Sequence, residues 1–176
     1  IYDKSADLVR KVSDGEKQEK KYLFGEATPH FIAENDLQFW VDWEEGQKTG
    51  FFIDQRDNRL LLKQISADKK VLNMFSYSGG FSINALKGGA TMVHSVDSSK
   101  KAIFWLEKNE LANEIDKDKH TAYTQDAIQF LKDAPKDFYE KTTDEFPILF
   151  CIFHINEFTM SSLSFREVGR FPSVET

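Results

Sequence analysis

Apolar and polar residues change period along this chain, and the changes outline its elements. Between residues 37 and 43, Phe39, Val41 and Trp43 alternate with Gln38, Trp40 and Asp42. Such alternation gives a strand one apolar face. Residues 28–35 form a second strand-like stretch, and Asn35-Asp36 is a turn pair, so the spacing predicts a β-hairpin over 28–43. Over 55–65 the period becomes helical, with Leu61, Leu62 and Ile65 on one side and Asp54 placed to cap.

Further on, short apolar runs alternate with amphipathic ones. Residues 71–75, 92–96, 120–124 and 148–153 read as strands. Residues 79–86 (closed by Gly88-Gly89), 99–113 and 126–131 read as helices. In the helix over 99–113, Ala102, Ile103 and Leu106 are expected inside, with Lys100, Lys101, Glu107 and Lys108 in water. The alternation predicts an α/β fold. Its core is a Rossmann-like parallel sheet with right-handed crossovers, incomplete at the C-terminus and preceded by a small β-hairpin region. The expected organisation is a connector over 1–21, hairpin plus helix over 22–66, the Rossmann-like region over 67–153 and an atypical tail over 154–176.

Composition narrows the class. The chain has 176 residues, about one domain, with 40% hydrophobic and 30% charged residues. Sixteen phenylalanines imply aromatic core packing. No apolar run reaches the roughly 20 residues needed to span a bilayer, so no membrane partner is expected and the cytoplasm is the default location. One cysteine excludes an internal disulfide and a cysteine-cluster metal site. His30, His94, His120 and His154 lack metal-ligand spacing, so no metal is expected. A net charge of −6 argues against an autonomous nucleic-acid binder. Arg10, Lys11, Lys17, Lys20 and Lys21 do cluster, but Asp14, Glu16 and Glu19 interleave with them, as in a solvated linker.

The chemistry concentrates in Val71-Leu-Asn-Met-Phe-Ser-Tyr-Ser-Gly-Gly-Phe-Ser82 and Val93-His-Ser-Val-Asp97. Strand, glycine turn, helix, strand and terminal acid form the skeleton of a βαβ nucleotide site. A carboxylate at a strand end can accept both hydroxyls of a ribose. A dinucleotide fingerprint would require G-x-G-x-x-G, yet Phe75 and Tyr77 stand where its first glycines would be. A phosphate-free adenosine ligand, of which S-adenosylmethionine is the common example, fits better. The alternative is a tight turn at Gly79-Gly80 with Asp97 as a helix cap.

Three segments carry a resemblance. Glu44-Glu-Gly-Gln-Lys-Thr-Gly-Phe-Phe-Ile-Asp-Gln-Arg-Asp-Asn-Arg59, Asn73-Met-Phe-Ser-Tyr-Ser-Gly-Gly-Phe-Ser82 and Val96-Asp-Ser-Ser-Lys-Lys-Ala102 resemble the class I S-adenosylmethionine-dependent methyltransferases of 23S ribosomal RNA. The nearest look-alike is the bacterial ribosomal RNA (cytosine-C5) methyltransferase family, whose full-length members carry a PUA domain ahead of the catalytic domain. The resemblance spans residues 1–140. It implies S-adenosylmethionine as cofactor over 67–153 and ribosomal RNA as the substrate of the full-length parent.

The resemblance also distributes roles. Asp97, with Ser98 beside it, would bind the cofactor ribose. Asp126 would meet the adenine amino group and Ala127 offer its backbone amide; the alternative for Asp126 is a helix N-cap. Asn73 stands where many class I enzymes carry an acid near the methionine end. Ser76, Tyr77, Gly79 and Phe81 match the loop around that end, Gly79 because a Cβ there would obstruct the ligand. Phe75 is expected in the core. Arg56 could pair with the methionine carboxylate, or else with Asp57 or Asp54.

After residue 138 the pattern departs from the family. The strand at 148–153 should lead into Asp-Pro-Pro-(aromatic), but His154-Ile-Asn-Glu-Phe158 and a serine-rich tail come next. Truncation with a frameshifted or rearranged C-terminus is the preferred explanation, and the first residue, not Met, suggests a start inside a longer protein. Pyrimidine C5 methylation uses a cysteine that adds to C6. Cys151 lies in an apolar strand and reads as core, so no catalytic residue is assigned, and this chain alone is not expected to methylate cytosine. A non-catalytic S-adenosylmethionine-binding or interaction module, or less favourably a nicotinamide-dependent oxidoreductase, remains an alternative. Oligomeric state is not legible.

Overall fold

The computed structural model describes residues 1–4, 21–26, 29–133 and 148–152, the last group and Lys21 by backbone alone. The expected basic cluster over 10–20, the tail over 154–176 and the burial of Cys151 lie outside the described residues. So does Thr28.

The hairpin forms as β3 (His30–Glu34) and β4 (Leu37–Val41), antiparallel, with Ile32 opposite Phe39 and Glu34 opposite Leu37. It comes after β1 (Tyr2–Asp3) and β2 (Lys21–Tyr22), which pair with each other at the two ends of the segment read as a connector. Asn35 and Asp36 both take positive φ, 49° and 64°. A two-residue loop of that hand matches the twist of the flanking strands, and Asn and Asp tolerate it better than most residues. Leu37, Phe39 and Val41 are buried, and Phe39 stacks on Phe51 with ring centroids 5.0 Å apart.

Helix α1 (Arg56–Ile65) is preceded by a single 3-10 turn, Ile53–Gln55. The expectation that Asp54 caps it fails: Gln55 is the N-cap, without a side-chain bond, and Asp54 pairs with Lys48 at 3.3 Å in solvent. The inserted 3-10 turn moves the helix start past Asp54.

The sheet consists of β5 (Lys70–Met74), β6 (Met92–Asp97), β7 (His120–Thr124) and β8 (Ile148–Ile152). All pairs are parallel, in the order β7-β6-β5-β8. Helices α2 (Gly80–Lys87), α3 (Lys100–Ala112) and α4 (Ala127–Asp133) connect them. The Rossmann-like α/β expectation is therefore met, with the hairpin ahead of the sheet. Strand alternation divides the core. Val71 and Val93 pack with Leu62, Phe81 and Ala85 of α1 and α2, whereas Leu72, Met74 and Val96 pack with Ala127 and Phe130 of α4. In α3, Ala102, Ile103 and Leu106 are buried as expected.

Phenylalanine is less uniformly internal than its abundance suggests. Phe39, Phe51 and Phe81 are buried, but Phe24, Phe31 and Phe104 are exposed. Phe75, expected in the core, is 39% exposed with φ +56°. It comes one residue after β5 ends, where the left-handed backbone turns it off the strand's alternation.

His94 is buried on β6. Burial holds its pKa below the ordinary histidine value, and His120 and Lys70 reinforce the shift. The unfolded chain takes up this proton near pH ~6.5, before the folded chain does. Stability contributed by neutral His94 is therefore lost as pH falls below about 6.5. Denaturant unfolding from about pH 7.5 to 5.5 should show that decline, and His94→Asn should flatten it; an unchanged slope in the variant would contradict the assignment.

Candidate functional site

The C-terminal ends of β5 and β6 lie side by side, and the turns into which they lead form the site. The chain leaves β5 through Phe75 and Tyr77, which both hold positive φ, 56° and 47°. Bulky residues here adopt the left-handed backbone that glycines take in a dinucleotide loop. Ser76 N donates to Val96 O at 3.0 Å, so the loop is sewn to β6.

Asp97 completes the seam. Its Oδ2 accepts from Tyr77 N at 2.8 Å and its Oδ1 from Ser99 N at 2.9 Å. The alternative that Asp97 caps α3 is corrected: Ser99 is the N-cap, its Oγ accepting from Ala102 N at 3.2 Å. The Asp97 carboxylate instead joins the loop after β5 to the turn after β6. Each oxygen holds one backbone amide and keeps further lone-pair capacity, so the group is rigidly presented and still able to accept. Ser98 is exposed beside it.

Gly79 adopts φ +75° and is the N-cap of α2. A Cβ at this position would lie 2.6 Å from Leu106 Cγ on α3. Left-handed backbone and close packing on α3 both require glycine here. Tyr77 lies across the loop: its hydroxyl accepts from Gln47 N at 3.1 Å, and its ring packs edge-on to Phe52 and Trp105. Burial raises its phenol above the ordinary pKa; the Gln47 amide opposes this, and Asp42 and Asp97 add to it. Tyr77 is therefore neutral and fastens the segment resembling the family's first motif to the loop of its second.

Ser76 is 5% exposed, and its Oγ is buried without a hydrogen-bond partner among the described residues. A buried hydroxyl without a partner is costly, and here it sits in the loop beside the Asp97 seam. That suits a ligand carrying polar groups. Asn73 is buried on β5 and donates through Nδ2 to Ser82 Oγ at 2.8 Å. Phe81 is buried against α1 and β5.

The remaining expected positions are less tightly joined. Asp126 is the N-cap of α4 in practice, with Oδ1 accepting from Gln129 N at 2.8 Å, as the simpler alternative required. Ala127 is buried under the sheet. Arg56 is exposed in the first turn of α1 and forms no ion pair with Asp54 or Asp57. The fixed cation of that segment is Arg59, 1% exposed, which grips Glu34 of β3 through Nε and Nη2, both at 2.6 Å.

Two further residues escaped sequence reasoning. Asn109 of α3 accepts from Trp40 N at 2.6 Å and donates to Ser78 O at 2.8 Å. Asn113 accepts from Gln38 N and donates to Gln38 O. Their amides pair with the open edge of β4 much as another strand would, and Asn109 also holds the loop after β5 through Ser78. A signal existed: asparagines four apart continue the buried stripe of Ala102 and Leu106. Among the described residues no cluster of side chains could hold a metal, and no helix is long and apolar enough to cross a membrane.

Comparison with known proteins gives this geometry a context. Residues 8–130 match the pattern of S-adenosylmethionine-dependent methyltransferases. The ribosomal RNA large subunit methyltransferase I of Enterobacter sp. (strain 638) is 40% identical over 134 residues, covering 75% of this chain and 34% of that protein. The enzyme of the same name from Aeromonas salmonicida is 37% identical over 151 residues, covering 85% of this chain and 37% of its own length. The chain thus spans about a third of the length of the curated relatives it matches. Among solved structures, SMU.776 complexed with SAH superposes with a TM-score of 0.60 at 34% identity, covering 64% of this chain and 30% of that one. A SAM-dependent methyltransferase from Agrobacterium tumefaciens gives 0.58 at 27% identity, over 68% of this chain and 39% of that one.

Proposed function

Because this chain belongs to the S-adenosylmethionine-dependent methyltransferase family, we propose that it forms the cofactor-binding part of a cytoplasmic enzyme that methylates large-subunit ribosomal RNA. The favoured target is C5 of a cytosine, in a longer protein of the kind that carries a PUA domain. Support for the RNA comes from relatives named as large-subunit methyltransferases, and for the C5 target from the motif resemblance over 44–102.

One observation carries the cofactor reading: the Asp97 carboxylate, pinned by two backbone amides, lies beside the unpartnered buried hydroxyl of Ser76. Asp97 would accept the ribose hydroxyls, and Ser76 would meet a polar group of the methionine moiety. Asp126 and the Ala127 amide would hold the adenine, with Asn73 and Arg56 toward the amino-acid end. When bound, S-adenosylmethionine supplies an electrophilic methyl group on a sulfonium. The chain's own task is to hold that group still and dry. Tyr77 and Phe52 close the loop against solvent, while Asp97 keeps loop and strand in one register.

Calorimetry with S-adenosylhomocysteine and, separately, NAD tests this reading. Binding of the former and not the latter is expected. Asp97→Ala should weaken it by about 1.5–3 kcal/mol, the scale of charge-assisted hydrogen bonds, with a circular dichroism melt to separate lost affinity from lost fold. Preference for NAD, or indifference of a folded Asp97→Ala variant, would refute it.

A further inference from the structure

A row of buried polar side chains runs across one face of the sheet, from Asn73 on β5 to His120 on β7 and Glu110 on α3. Asn73 Nδ2 donates to Ser82 Oγ at 2.8 Å; Ser82 Oγ meets Ser95 Oγ at 2.6 Å; Ser95 Oγ meets His120 Nε2 at 2.7 Å. His120 Nδ1 then bonds to Glu110 Oε1 on α3. Asn73, Ser82 and Ser95 are at most 1% exposed. A hydrogen-bonded row through an apolar core must satisfy every member or cost stability, and that requirement fixes the direction of its hydrogens.

Each serine hydroxyl has one hydrogen to give. With Asn73 Nδ2 toward Ser82, Ser82 donates to Ser95, Ser95 to a bare His120 Nε2, and His120 Nδ1–H to the Glu110 carboxylate. Every donor then has an acceptor. A neutral ring with its hydrogen on Nε2 would set a lone pair against the carboxylate. Ser82 Oγ makes no other bond among the described residues.

We propose that Glu110 and His120 are positioning residues for the cofactor pocket, fixing through Ser95 and Ser82 which end of the Asn73 amide faces the chain and which is left to face the cofactor. With His120 neutral, Nδ2 is committed to Ser82 and the carbonyl is the end outside the row. The consequence for the cofactor rests on the proposed function; the coupling of Asn73 to His120 does not.

Nitrogen-15 NMR of the unmodified chain decides the coupling. At about pH 8, a neutral His120 ring should carry its hydrogen on Nδ1; a hydrogen on Nε2 overturns the proposal. Glu110→Leu, which removes the acceptor of Nδ1–H, should shift the Asn73 side-chain amide signals together with those of the His120 ring, and Ser95→Ala should separate the two. Shifts confined to the ring overturn it as well. Calorimetry at the same pH reads the cofactor consequence. Glu110→Leu should weaken S-adenosylhomocysteine binding about tenfold, the worth of one hydrogen bond. Glu110→Gln, which retains an acceptor for Nδ1–H, should restore most of it. Equal affinity in both variants and the unmodified chain overturns the positioning role. No binding by the unmodified chain overturns the cofactor reading instead, while the NMR result still decides the coupling.

Discussion

Replacing Arg59 by alanine should destabilise the fold by about 3–5 kcal/mol, the cost of leaving one member of a buried ion pair without the other. Arg59 and Glu34 are 1% and 9% exposed, and the guanidinium meets the carboxylate through two bonds of 2.6 Å. A third bond, from Nη1 to Phe52 O at 2.9 Å, holds the segment before α1. The guanidinium carbon lies 4.4 Å from the centre of the Phe51 ring, which packs on Phe39 of the hairpin. One side chain therefore joins β3, the 51–53 segment and α1. Urea unfolding of Arg59→Ala measures the loss. The pairing argument also requires that Arg59→Met with Glu34→Leu be milder than Arg59→Ala, since no charge is then left buried. A double variant worse than the single would show that packing, not the charge, dominates.

Asn109→Leu should have the next largest effect, about 2–4 kcal/mol. The substitution keeps the volume but strips Trp40 N and Ser78 O of their partner. Each backbone group so exposed costs about 1–3 kcal/mol, less on the Trp40 side, which is only partly buried. The functional consequence is distinct from the stability one. Ser78 lies between Tyr77 and Gly79, so releasing its carbonyl loosens the loop that carries the proposed cofactor contacts. Asn109→Asp separates the two arms: a carboxylate still accepts from Trp40 N but repels Ser78 O. A carboxylate at this fully buried site carries an unpaired charge, so the variant's thermal midpoint should fall at least as far as that of Asn109→Leu, and S-adenosylhomocysteine affinity should fall in both. If affinity is unchanged in a folded Asn109→Asp variant, α3 does not support the loop.

Whatever depends on neighbours along the chain could be read from residue order alone. Strand and helix periods placed the hairpin, α1 and the sheet strands to within a residue or two, because burying one face is a local constraint that repeats at 2.0 or 3.6 residues. Asn35-Asp36 announced its left-handed turn for a similar reason: the conformation belongs to the residue. The second strand ending in Asp97 was likewise legible, as was membership of the methyltransferase family from three motifs in order.

How those residues are held follows instead from contacts made across the fold. Asp97 takes its two amides from Tyr77, twenty positions earlier, and from Ser99, so in place of the helix cap that local spacing left as an alternative there is a seam between loops. At Gly79 a Cβ would meet Leu106 on another helix. Phe75 leaves the core because the strand ends one residue before it. Arg59 and Glu34, Asn109 with Trp40 and Ser78, and the row from Asn73 to Glu110 are partnerships between residues nine to sixty-nine positions apart. A period cannot reveal such pairs: it reports which face is buried, whereas a buried polar group is satisfied by whichever distant atom the fold brings within three ångströms.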